Sequence, residues 1–190
     1  LLSKGPWPRR TAVPDLRGTH KYDDEGTPTR HTPLIEEGVL VGRLHNRETA
    51  AKMGESPTGN ARALSYRHAP IVRMTNTAIA PGDTAFEEMI GDIDLGVYAC
   101  DAYGGQTELE NFSFSAGYAY MIRNGEIAEM VKDVILAGNL FETLQNIDAV
   151  GSDFTWTKTA GGCGKGGQNG LPVAMGAPHI RIQNVVIGGK

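Results

Sequence analysis

Phe112-Ser113-Phe114-Ser115-Ala116, continued by Tyr118 to Ile122 and closed by Asn124-Gly125, is the stretch that decides the fold class. Phe112, Phe114 and Ala116 alternate with two serines, the period of two that a strand with one apolar face requires. Asn-Gly is the strongest short hairpin signal, because a type I′ turn needs φ > 0 at both central positions. The period of two sets in at Val97, and Val131 to Ala137 reads as a further strand. Toward the end of the chain, Leu171 to Met175 and Ile180 to Ile187 read as closing strands. Toward the start, Leu34 to Leu40 reads as a hairpin with Glu37-Gly38 at its tip. Pro70-Ile71-Val72 runs into Arg73-Met74-Thr75-Asn76-Thr77, a strand inside a sheet, so Arg73 and Asn76 need partners there.

Helices are few and short in this reading. Asn46 caps one that runs through Ala50 and Met53 and ends at Gly54. Thr84 and Glu87 form a capping box ahead of the stripe Phe86, Met89, Ile90 and Ile93, with Gly96 just past its end. Asn139 caps a third, carrying Leu140, Leu144 and Ile147. The expected fold is mainly β (α+β): a largely antiparallel sheet or a barrel-like domain with two or three short helices. Residues 1–20, with Pro6, Pro8 and Pro14, read as an arm or linker, and residues 21–190 as one β-rich domain.

The chain has 190 residues, a formal net charge of -4 and 25 glycines. That length can bury a core, and the glycine content suits a turn-rich β protein. No basic run interleaved with aromatics appears, so nucleic acid is not an expected partner. No apolar run reaches membrane-spanning length and no signal peptide is visible, so a membrane is not one either. Cys100 and Cys163 are read as reduced thiols of a cytoplasmic protein. The chain begins at Leu1 rather than Met, which reads as a piece of something longer.

The chemistry-bearing stretch is Gly161-Gly162-Cys163-Gly164-Lys165-Gly166-Gly167-Gln168. On composition alone it is a flexible surface loop with an incidental cysteine. Gly162, Gly164 and Gly167 satisfy G-x-G-x-x-G, but no helix follows, which excludes a dinucleotide fingerprint. Thr159 and Gly166 occupy the positions where a P-loop needs glycine and Ser or Thr. A thiolate is a good zinc ligand, yet the chain has no C-x-x-C and no H-x-x-x-H to complete a site. His20, His31, His45, His68 and His179 are scattered. Asp23-Asp24-Glu25 reads as a solvated acidic turn. No nucleophile elbow is present. A thiol enzyme using Cys163, with Lys165 as its visible basic neighbour, is a weaker alternative.

Six ordered motifs then coincide: Asp23-Asp24-Glu25-Gly26-Thr27-Pro28, Leu34 to Leu40, Pro57-Thr58-Gly59-Asn60, Arg73 to Thr77, Gly104-Gly105-Gln106 and Gly162 to Gln168. Over roughly residues 20–190 the chain resembles the C-terminal region of the TldD/PmbA metallopeptidase family, whose members are also known as modulators of DNA gyrase. The resemblance implies a zinc peptidase acting on unfolded or extended peptides, paired with a related TldE/PmbA-type subunit or with itself as a dimer. It implies zinc held by two histidines of a helical H-E-x-x-x-H and by a cysteine matching Cys163. That motif is absent here, so no catalytic residue is expected in this chain and it should be inactive alone. Gly161, Gly162, Gly164 and Gln168 are expected to receive the peptide, and Lys165 to assist at an oxyanion or the substrate. The alternative is a non-catalytic interaction or structural domain of a partner complex.

Overall fold

The computed structural model describes residues 15–157 and 161–188. Most of the expected arm at residues 1–20 therefore lies outside the described residues. In chain order the elements are β1 (Ile35–Glu36), β2 (Val39–Leu40), α1 (Arg47–Met53), β3 (Ala61–Arg62), β4 (Ile71–Val72), β5 (Asn76–Ala78) and α2 (Phe86–Ile90). There follow β6 (Leu95–Glu108), β7 (Asn111–Arg123), β8 (Glu126–Val131), β9 (Ile135–Asn139), α3 (Leu140–Gln145), β10 (Ile147–Val150) and β11 (Thr155–Trp156). β12 (Gly161–Lys165), β13 (Gln168–Ala177), β14 (Ile180–Ile182) and β15 (Val186–Gly188) complete the chain. The fold is mainly β, with three short helices among the described residues, as expected. Among the described residues the strand pairings are antiparallel except β5 with β13, and the sheets stay open rather than closing into a barrel.

Chain contacts divide the molecule into two units. One comprises Gly82–Asp153 with residues 179–188 and is built on a five-stranded sheet of order β15-β9-β7-β6, with β8 also on β7. β7 is long enough to pair β9 along Asn111 to Ser115 and β8 along Ala119 to Arg123. Asn124 and Gly125 form the β7–β8 turn at φ 50 and 80, as the Asn-Gly signal requires. The expected strand from Val131 to Ala137 is two strands instead. Asp133, at φ 58, breaks it, because the two halves pair different stretches of β7.

α2 departs from its sequence reading. Ala85 is the N-cap and makes no side-chain cap, so the Thr84–Glu87 box does not form. The Thr84 backbone is taken by an isolated bridge to Gly151. The helix stops before Ile93 because the Ile93 and Asp94 carbonyls accept from Gly125 and Asn124 of the β7–β8 turn. Tertiary hydrogen bonds here override the local signal.

The second unit comprises residues 15–81 with Phe154–Pro178. β13 is its spine, flanked by β11 and β12 and extended by β5 in parallel. α1 forms as the sequence dictates: the Asn46 side chain accepts from Thr49 N, and Gly54 ends the helix at φ 67. Glu37 and Gly38, at φ 50 and 80, turn the β1–β2 hairpin. The expected strand through Arg73 breaks after Val72, where Arg73 N donates instead to Asn60 O. Asn76 finds its partners far off in sequence, accepting from Gly18 N and donating to Thr19 Oγ1.

Candidate functional site

The glycine stretch is a β-hairpin, not a loose loop. Cys163 pairs across from Leu171, Gly162 from Pro172 and Lys165 from Gln168. Gly166 and Gly167 make the turn at φ 58 and 77, a conformation that costs a side-chain-bearing residue about 1 kcal/mol or more. At Gly162 an added Cβ would lie 3.0 Å from Gly170 Cα, so the strands approach closely there. The glycines thus serve a tight turn and close strand packing rather than mobility.

Buried polar side chains hold this hairpin in place. Arg73 is 1% exposed, and its Nη2 donates to the carbonyls of both Cys163 and Gln168. Gln168, 5% exposed, accepts from Leu64 N and donates to Ala69 O. Lys165 Nζ donates to Val72 O at 3.0 Å. Three residues of the hairpin are therefore tied to the segment 64–73. Gly161 and Gly164 lie on β12 with Cys163, whose thiol is free and partly exposed.

Beside Leu171 and Pro172 opens a cleft of about 220 Å³, also lined by His20, Tyr22, Asp24 and Arg62. Burial holds the Arg62 guanidinium below its ordinary value, and Arg73 adds to this; Asp24 and Cys163 act in the opposite direction. Burial, then Arg62, likewise lowers the His20 imidazole. The acidic turn is not simply solvated. Asp23 is 7% exposed and accepts from the backbone N–H of Glu25, Thr27 and Ala61, because it fastens the turn to β3. Sequence reasoning did not single out Arg62 or the cleft. The available signal was Arg73, a cation inside an apolar run that demanded partners.

Among the described residues no group of three or more His, Cys, Asp or Glu is placed to hold a metal ion. His45 is occupied by Thr49 and Glu55, His68 by Ser65, and His179 by Asp153 and Tyr98. Cys100 lies on β6, in the other unit. Cys163 by itself is too few donors for a metal centre, which takes three or four protein groups.

The family profile described as PmbA/TldA metallopeptidase C-terminal domain matches residues 9–189. A metalloprotease of Synechocystis sp. is 57% identical over 178 residues, which cover 94% of this chain and 38% of that protein. A zinc metalloprotease TldD homologue of Saccharolobus solfataricus is 37% identical over 169 residues, covering 88% of this chain and 38% of that protein. In solved structures the fold resembles TldE of Thermococcus kodakarensis, with a TM-score of 0.70, 28% identity, and coverage of 90% of this chain and 36% of that one. A Thermotoga maritima protein described as a modulator of DNA gyrase gives a TM-score of 0.71 at 29% identity, covering 95% and 38%. The chain thus spans well under half the length of these relatives. On the profile match and these identities, it belongs to the PmbA/TldD metallopeptidase family and corresponds to its C-terminal domain.

Proposed function

We propose that this chain is the cysteine-donating domain of a cytoplasmic zinc peptidase that cleaves unfolded or extended peptides. The observation that carries the reading is Cys163, a free and partly exposed thiol on a hairpin pinned by Arg73, Gln168 and Lys165. Two histidines and the general base would come from an H-E-x-x-x-H outside this chain, so the 190 residues alone should hydrolyse no peptide. When bound, zinc supplies a polarised water and an electrophile for the scissile carbonyl. The chain's own residues hold the thiolate and offer a strand. Along Gly161, Gly162 and Gly164 the backbone lacks side chains that would block an extended peptide, and among the described residues β12 pairs only with β13. Gln168 contributes by anchoring that strand, and Lys165 by the donors its bond to Val72 leaves free. The TldE relative supports a related subunit, or a second copy, as partner.

Cys163→Ser in the full protein tests this. Serine keeps the size, so stability should change by no more than about 0.5 kcal/mol. A neutral hydroxyl is a poor zinc ligand, so zinc content and peptide hydrolysis should both be lost. Cys100→Ser, the control, should keep both. Stoichiometric zinc with full turnover in the Cys163 variant would end the ligand assignment.

A further inference from the structure

We propose that Arg73 is the positioning residue for Cys163: its buried guanidinium ties both strands of the glycine hairpin at their carbonyls and so fixes the backbone that carries the thiol. The role toward zinc rests on the ligand reading given above. The clamp itself does not.

The β12–β13 ladder has a register shift between Cys163 and Lys165. Regular pairing is interrupted there, beside the candidate ligand. Arg73 supplies the donor at that point, with Nη2 reaching Cys163 O and Gln168 O, 90 and 95 residues away in sequence. Arg73 is itself fixed. Its N–H donates to Asn60 O at 2.8 Å, and Asn60 Nδ2 donates to Arg73 O at 3.0 Å. The clamp therefore runs from a buried asparagine through the arginine to both strands of the hairpin.

Its cost argues for its purpose. Nε and Nη1 of Arg73 are buried with no hydrogen-bond partner, and Arg62, a second buried guanidinium, lies close enough to be affected by its charge. Unsatisfied buried donors and adjacent like charges are both unfavourable, and an apolar side chain of similar volume would avoid them. Filling space does not explain a guanidinium here. Bridging two carbonyls across the interrupted ladder does, and only a donor that reaches both can do it. Because Arg73 touches the Cys163 backbone and not its thiol, it acts through Cys163.

The test is Arg73→Met in the full protein, with Arg73→Lys as the conservative variant. Methionine retains volume and removes the donors. Hydrogen exchange of the segment 161–171 should accelerate about tenfold or more, while β6 and β7 keep their rates. Zinc affinity should fall about tenfold, as when an outer support of a metal ligand is removed. Arg73→Lys, which keeps a cationic donor, should recover part of both. Unchanged exchange in 161–171 would overturn the clamp. So would acceleration that spreads equally to β6 and β7, since Arg73 would then be a general core residue. If the hairpin loosens and zinc affinity holds, while Cys163→Ser loses zinc, the positioning role toward the metal is overturned although the ligand assignment stands. If Cys163→Ser itself keeps zinc, the ligand assignment has failed, and the exchange result alone then upholds or overturns the clamp.

Discussion

In the unit formed by Gly82–Asp153 and residues 179–188, the buried residues include Met89, Ala119, Ile122, Val134, Ile147 and Val150, all apolar. In the unit formed by residues 15–81 and Phe154–Pro178, Asp23, His45, Asn46, Thr58, Asn60, Arg62, Arg73 and Gln168 are buried as well as apolar residues such as Ala61, Leu171 and Val173. No buried polar or charged residue falls in the first unit among the described residues. The same contrast holds for their hairpins. β6–β7 is a long backbone ladder, register-matched from Leu95↔Arg123 to Glu108↔Asn111 with one shift. β12–β13 is short, glycine-lined and held by side chains from elsewhere in its unit. An apolar core is non-directional and tolerates repacking. A buried polar network specifies geometry, because each missing partner strands a desolvated group. The unit with the candidate ligand is the one built for geometric definition.

Asp23→Ala should expose this difference most strongly. It leaves the N–H groups of Glu25, Thr27 and Ala61 without their acceptor, and losing hydrogen bonds to a buried charge should cost about 3 kcal/mol. Urea unfolding monitored by local hydrogen exchange should place the loss in the second unit. A loss of a few tenths of a kcal/mol would break the contrast, since Asp23 would then behave as an ordinary surface residue.

Ile122→Val in the first unit should do less. One buried methylene is removed from an apolar site, for a cost of about 1 kcal/mol, readable as a shift in denaturant midpoint with unchanged slope. A cost above that of Asp23→Ala would reverse the proposed ranking of the two cores.

The smallest effect concerns acid. Hydrogen bonding to Arg181 lowers the Asp148 carboxyl, with burial opposing it. A depressed carboxylate contributes stability that is present above its unfolded value of about 3.9 and is lost as pH falls through the lower folded value. Asp148→Asn should therefore lower the melting temperature slightly in the neutral region and flatten the acid limb, so that variant and parent converge as pH falls below about 4. An identical acid limb in the variant would show that this exposed ion network adds nothing to the first unit.

Turn and cap chemistry was legible in the sequence because it is decided within a few residues. Asn124-Gly125 and Glu37-Gly38 turn where backbone sterics allow φ > 0, and Asn46 and Gly54 bound α1 as their side chains dictate. The period of two around Phe112 likewise led to the antiparallel sheet. The resemblance that singled out Cys163 was carried by ordered motifs, not by any local property of a cysteine between glycines. Tertiary structure decided what local signals could not. It withheld the Thr84 cap by pairing that backbone with Gly151, and divided the strand after Val131 between two stretches of β7. It also buried Asp23 on the β3 backbone and converted the glycine loop into a hairpin anchored from Arg73, ninety residues before Cys163. A side chain's local propensity is set by its neighbours in sequence, whereas the partner of a buried polar group is set by which backbone atoms the fold brings within 3 Å of it.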